Sequence, residues 1–280
     1  MTTPLRPLAL TTPIEPGAAR PPGRSAADER QALHGGALGR FEVAVASACG
    51  SQHPANEDAH SPLDSDGRLF VVADGVGGGA QAALASRLLV ALLHAALAGQ
   101  RVEPERVQQA MLAADRGIAR RIGELTDLPG AATVVLCAPQ NLFASRWLVA
   151  WVGDCRVYRL TAAADAGVEL LSRDHTFGQL DETPPRGGAA DDPARMVGNG
   201  AVSRTGIGHH DLAAGDLLAL CSDGVHKHLQ PADWTRLLNS PQPLVQRADA
   251  LVALARANGS VDDATLLLVQ RCGLGRGGLQ

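Results

Sequence analysis

The order of segments along this 280-residue chain predicts an α+β domain built from antiparallel sheets. Three observations carry the prediction. Strand-like apolar segments come in runs, helix-like segments come in pairs, and the links between successive strand-like segments from 131 to 160 are too short for the crossover helices that a parallel sheet requires.

Taken in order, residues 1–39 hold Pro4, Pro7, Pro13, Pro16, Pro21 and Pro22, with Gly35 and Gly36, and keep no period of 2 or 3.6. They read as a flexible Pro/Gly-rich leader. From Arg40 the segment FEVAVASA alternates like a strand, and RLFVVAD is a short apolar run ending in a glycine cluster, which suits a buried strand. Residues 81–97 read as a helix, and 104–125, with Val107, Met111, Ala114 and Ile118 on one face, as a second. After Pro129-Gly130, the segments AATVVLCA, SRWLVAWVGD and CRVYRL predict a three-strand antiparallel meander, with 168–171 a candidate fourth strand. Residues 176–200 carry Pro184, Pro185, Gly187, Gly188, Pro193, Gly198 and Gly200 and predict a long loop, a length that in compact domains goes with function or with disorder. GDLLALCSDG then gives a strand and a turn, 231–239 and 242–257 two helices, and ATLLLVQ a last strand. One domain over about 40–272, followed by a Gly-rich tail at 273–280, accounts for the pattern.

Composition narrows the function. A chain that is 45% hydrophobic and 19% charged is globular, and its longest nearly apolar run, 88–98, is far short of the roughly 20 residues of a membrane span. The N-terminus lacks the basic start and apolar core of a secretory signal, so a cytoplasmic protein with no membrane partner is expected. Of 25 basic residues only Lys227 is lysine; the 24 arginines are scattered, which predicts no nucleic-acid partner. A single lysine placed after His226 also rules out a phosphate-binding P-loop. The five cysteines form no CxxC pair and read as small buried hydrophobes, and none has an arginine six positions on, so a cysteine-nucleophile phosphatase loop is excluded.

Acids recur at the ends of the apolar strands. Glu57-Asp58 follow the first, Asp74 ends the second, Asp154 falls between two strands of the meander, Asp223 ends LLALCS, and Asp262-Asp263 begin the last. Carboxylates gathered on one rim cannot all stay ionised without a cation, and an all-oxygen set suits Mg²⁺ or Mn²⁺ rather than zinc. An aspartate before glycine is otherwise a turn residue, and Asp66-Gly67 in DSDGR reads as one. A competing motif, GVGGGA at 75–80, fits the GxGxxA dinucleotide fingerprint of an oxidoreductase. The stretch 81–102, however, holds no acid to meet a ribose.

Taken together, Asn56-Glu57-Asp58, VVADGVGG (71–78), Ala85-Ser86, Ala132-Thr133, VGDCRVY (152–158), Arg173-Asp174-His175, Ser203-Arg204-Thr205-Gly206-Ile207-Gly208, LLALCSDGV (217–225) and Val261-Asp262-Asp263-Ala264-Thr265 resemble the metal-dependent serine/threonine protein phosphatases of the PPM, or protein phosphatase 2C, family in their bacterial form, over about 41–270. The resemblance implies a four-layer α-β-β-α sandwich of two antiparallel sheets flanked by helix pairs, with two Mn²⁺ or Mg²⁺ ions at one end. It implies that Asp74 bridges the ions, that Glu57 and the carbonyl of Gly75 complete one, and that Asp223 with Asp262 complete the other. Asp58 would hold metal-bound water, and Asp154 with Asp223 match the positions of a third ion. The implied reaction is hydrolysis of phosphoserine or phosphothreonine on proteins by a metal-bridging hydroxide, opposing a serine/threonine kinase, in a monomer.

Three positions depart from the family pattern. His53 stands where an arginine usually grips the substrate phosphate, and an imidazole cannot make the bidentate guanidinium contact. Asp263 replaces the asparagine of the usual Asp-Asn pair, adding a charge that would either tighten metal binding or face solvent. Val76 replaces the histidine proposed in eukaryotic relatives to protonate the leaving group, so metal-bound water would supply that proton, and His209-His210 and His226/His228 read as incidental histidines rather than substitutes. A weakened member that binds phosphoproteins without turnover is the alternative that His53 and Asp263 favour.

Overall fold

The computed structural model describes residues 30–36, 39–51, 54–63, 68–77, 80–162, 167–202, 204–238 and 240–273. Within them the chain runs β1 (Gln31–Gly36), β2 (Gly39–Ala48), β3 (Asp58–His60), β4 (Phe70–Val76), α1 (Ala80–Leu97), α2 (Pro104–Gly123), β5 (Ala131–Pro139), β6 (Arg146–Val152), β7 (Arg156–Leu160), β8 (Val168–Leu170), β9 (Gly206–Asp211), β10 (Leu217–Cys221), α3 (Asp223–His226), α4 (Pro231–Leu238), α5 (Leu244–Ala257) and β11 (Ala264–Arg271). One sheet has the order β1-β2-β11-β10-β7-β8 and the other β3-β4-β5-β6-β9. Every strand pair is antiparallel.

The side-chain alternation of these strands separates three apolar layers. In β4, Val71 and Ala73 pack with Leu89 and Leu93 of α1 and Met111 and Ile118 of α2, while Phe70 and Val72 turn the other way into the space between the sheets. There they meet Val43 and Val45 of β2, Trp147 of β6 and Leu267 of β11. The outer face of the six-stranded sheet, with Ala44, Ala219 and Leu268, packs against Trp234 of α4 and Leu251 and Val252 of α5. The result is helices, sheet, sheet, helices: the α+β sandwich expected from the sequence. The predicted face of α2 is buried at Val107, Met111, Ala114 and Ile118, and Pro104 stands in its first turn, where a missing N–H leaves no bond unmade. No helix among the described residues is long and apolar enough to cross a membrane.

The structure departs from the sequence reading in three places. The expected meander is split, because β5 and β6 pair in the five-stranded sheet whereas β7 pairs with β10 and β8 in the other. Residues 153–155 carry the chain from one sheet to the next; because β6 and β7 are buried on both faces, their sequences hold no alternation that would assign them to a sheet. Residues 31–36, expected within an irregular leader, form an edge strand paired to β2. The other departure concerns β3, β9 and the single-turn α3, which are too short or too glycine- and histidine-rich to show a period. Residues 1–29 and 274–280, and the Asp66-Gly67 turn, lie outside the described residues.

Candidate metal centre

Strand ends from both sheets deliver the acids to one end of the sandwich. Asp58 and Asp74 sit directly opposite each other in the β3–β4 pairing, so their side chains share a face. Asp154 lies in the link from β6 to β7, Asp223 opens α3 just after β10, and Asp262 stands two residues before β11. A cavity of about 210 Å³ is lined by Glu57, Asp74, Asp154, Asp223 and Asp262, by Gly75 and Val76, and by Lys227. Two further acids, Asp191 and Asp192, reach it from the 176–200 loop.

The backbone around these acids is closely braced. The carbonyl of Glu57 accepts from the Ser86 hydroxyl at 2.6 Å and from the Gly75 N–H at 3.2 Å. Its N–H donates to Asp263 Oδ2 at 2.6 Å. Gly75 has no room for a side chain, because a Cβ there would lie 2.4 Å from the Ala82 carbonyl oxygen in the first turn of α1. Gly224 is equally confined, with the Asp263 carbonyl oxygen 2.0 Å from where a Cβ would stand. These two glycines let α1 and α3 start hard against the acidic strand ends, which is what the Asp-Gly pairs at 74–75 and 223–224 accomplish.

Burial and mutual repulsion set the protonation of the cluster. Burial, followed by the charges of Asp58, Asp223, Asp154 and Asp262, raises the Asp74 carboxyl well above the usual carboxylate range. Burial pushes Asp58 up to about 7, against the opposing effect of a 2.8 Å hydrogen bond donated by Ser222 Oγ. It pushes Asp154 up to about 7 as well, with Asp223 adding to it. Burial would raise Asp223 too, but Lys227, four residues on and donating to Oδ2 at 2.8 Å, outweighs it and holds that carboxyl low. Asp58 Oδ1 and Asp223 Oδ1 are buried with no hydrogen-bond partner among the described residues.

Buried carboxylate oxygens lacking a donor, one on the cavity wall and one beside it, fit a hard cation. Among the described residues no three His, Cys, Asp or Glu side chains form a ready-made metal cage. An ion such as Mg²⁺ does not require one, since it keeps several waters and takes few carboxylates directly.

Several candidate residues have other tasks or other places. Asp263 is buried and neither faces the cavity nor meets solvent. Its Oδ1 accepts from the Gly50 N–H and its Oδ2 from the Glu57 N–H, each at 2.6 Å. His226 is buried, held near 4 by that burial, and bonds the Asp154 carbonyl at 3.0 Å, so it props the cavity wall from behind. His209 and His210 lie on β9 and do not line the cavity. His53 lies outside the described residues. The sequence reading missed Lys227 as a site residue, although its i,i+4 spacing from Asp223 was the available signal, and it missed Asp191 and Asp192, for which a loop offers no periodic signal. The glycines at 75 and 77 do not form a dinucleotide turn, because β4 pairs antiparallel on both sides rather than entering a parallel βαβ unit.

A protein-family model for Protein phosphatase 2C matches residues 47–261. The chain is similar to the serine/threonine phosphatase stp of Listeria innocua, 26% identical over 77% of this chain and 90% of that protein. It is also similar to the serine/threonine protein phosphatase PstP of Mycobacterium tuberculosis, 30% identical over 76% of this chain and 41% of that longer protein. Among solved structures it resembles PppA of Pseudomonas aeruginosa, described as a regulatory component of T6SS, with a TM-score of 0.69 and 26% identity over 82% of this chain and 97% of that one. The PstP catalytic domain in complex with two manganese ions shares the fold, with a TM-score of 0.68 and 24% identity over 83% of this chain and 99% of that one.

Proposed function

Because the chain belongs to the protein phosphatase 2C family, we propose that it hydrolyses phosphoserine and phosphothreonine on proteins, using divalent cations held in the acidic cavity. The observation that carries this reading is the gathering of Glu57, Asp74, Asp154, Asp223 and Asp262 on one cavity, with two of the neighbouring carboxylate oxygens buried and undonated. Asp74, which lines the cavity with the other acids, would help to hold both of two Mn²⁺ or Mg²⁺ ions. Glu57 and the Gly75 carbonyl would hold one, Asp223 and Asp262 the other, and Asp154 with Asp223 a third. When bound, such ions supply an acidified water and offset the charge on the phosphoryl oxygens.

The remaining work belongs to the chain. Asp58, opposite Asp74 in the β3–β4 pairing and accepting from Ser222 Oγ, would orient what binds beside it. Lys227 keeps Asp223 ionised through a short charge-assisted contact, so that this carboxylate accepts a cation without first losing a proton. His53 is proposed to meet the substrate phosphate with a single hydrogen bond. A partner in the form of a phosphorylated protein, itself a serine/threonine kinase or a kinase target, follows from the same reading.

Phosphate release from p-nitrophenyl phosphate and from a phosphothreonine peptide, measured with Mn²⁺ or Mg²⁺ and again after EDTA, tests the proposal. Release that needs the cation is expected; a folded protein with no cation-dependent release would make it the phosphoprotein-binding relative instead. His53→Arg is expected to lower KM for p-nitrophenyl phosphate with kcat little changed, and unchanged KM would remove His53 from the phosphate site.

A further inference from the structure

A second cavity, of about 670 Å³, is also lined in part by the 176–200 loop and has the opposite charge. Arg173, Arg195 and Arg204 line it together with Trp151, His175 and Thr205, and no acidic side chain does. Arg195 is paired with Glu182, and among the described residues the Arg173 guanidinium donates only to the Gln179 carbonyl, at 3.2 Å. Arg204 is exposed and makes no side-chain hydrogen bond or ion pair among the described residues. Burial, reinforced by Arg195, holds the imidazole of His175 below its usual range, so near neutral pH it adds a polar wall without adding charge. Two guanidinium groups free of carboxylate partners on one cavity form a receptor for an anion carried on a polypeptide.

The two cavities are neighbours along the chain in two independent places. Asp192 lines the acidic cavity and Arg195 the basic one; likewise Asp154 lines the first and Trp151 the second. Three residues of backbone span at most about 10 Å. An extended substrate segment with its phosphorylated residue in the acidic cavity therefore reaches the basic cavity in about three to five residues.

We propose that this arginine-lined cavity is a substrate subsite that takes an anionic side chain, a carboxylate or a second phosphate, carried about three to five residues from the phosphorylated residue. The inference rests on the phosphatase reading above, and the test separates the two. Phosphothreonine peptides bearing Asp, a second phosphothreonine, Ala or Lys three to five residues to either side of the target are compared by kcat/KM, with p-nitrophenyl phosphate as a substrate too small to span the cavities. An acidic or doubly phosphorylated peptide is expected to exceed its Lys counterpart by about tenfold or more, carried by KM and weakened by added salt. The single-site variants Arg173→Gln and Arg204→Glu, both at exposed positions, are each expected to erode that preference while leaving p-nitrophenyl phosphate hydrolysis unchanged. A preference for phosphate over Asp assigns the anion to a second phosphorylated residue, and equal preference assigns it to acidic sequence. No peptide preference in the wild type, or a preference that survives in both variants, overturns the subsite. A folded protein that hydrolyses neither peptide nor p-nitrophenyl phosphate overturns the phosphatase reading, and the subsite with it.

Discussion

Asp263 shows how one residue in the acidic group came to serve structure. Its two oxygens take the N–H groups of Gly50 and Glu57, so it ties the start of β11 to the backbone on either side of residues 51–56 and fixes the residue that leads into Asp58. Asparagine has a single carbonyl oxygen and cannot accept at both positions. Asp263→Asn is therefore expected to strand one donor and cost about 1–3 kcal/mol, read as a lower urea midpoint with unchanged slope. An unchanged midpoint would mean that the two contacts do not stabilise the protein. From the sequence alone Asp263 had two readings, a charge at the metals or a charge in solvent. Neither describes it, because a pairing between residues more than 200 positions apart leaves no local pattern. Asp74 and Asp223 were legible for the opposite reason: each ends a strongly apolar strand immediately before a glycine, a local signature that the packing of Gly75 against Ala82 and of Gly224 against Asp263 explains.

Among the elements, α5 has the clearest influence on the site. Arg256, in its last turn, donates through Nη2 to the Ala48 carbonyl at 2.8 Å and through Nη1 to the carbonyls of Ser260 and Asp262. One side chain thus gathers the end of β2 and the loop that carries Asp262. Arg256→Ala is expected to lower Mn²⁺ affinity by about 10–100-fold, as loss of a supporting partner does, while Arg256→Lys recovers part of it. Equal affinities by calorimetry would show that the loop holds its shape without the guanidinium. The long elements α1, α2, α5, β5 and β11 were all legible, because a period sustained over many residues survives any particular packing. The assignment of β7 was not, since a strand buried on both faces reads the same in either sheet, and only the pairing of Arg156–Leu160 with β10 decides it.

Across the whole molecule, the formal charge of −4 conceals two cavities of opposite sign at neighbouring positions. The acidic one ties stability to pH. Asp58 and Asp154 are pushed up to about 7 in the folded protein, whereas in the unfolded chain they titrate near 3.9. Between those values the folded state binds more protons than the unfolded state. The metal-stripped protein therefore loses stability as pH rises from about 4 towards 7. Cations replace those protons, so the rise in Tm on adding Mn²⁺ is expected to be larger at pH 8 than at pH 5.5. Equal shifts at the two pH values would mean that the cation binds away from these carboxylates. The fold class, the order of the long elements and the acidic strand ends were present in the sequence. The basic cavity was not, because its arginines are scattered at 173, 195 and 204 and only the path of the 176–200 loop brings them together. The central claim, that the acidic cavity binds the cation on which phosphate release depends, is tested most directly by titrating Mn²⁺ into the metal-stripped wild type and into Asp74→Asn while recording phosphate release from a phosphothreonine peptide. The account predicts no release without the ion, saturable recovery in the wild type and none in the folded variant; release by the stripped wild type, or full recovery in Asp74→Asn, would contradict it.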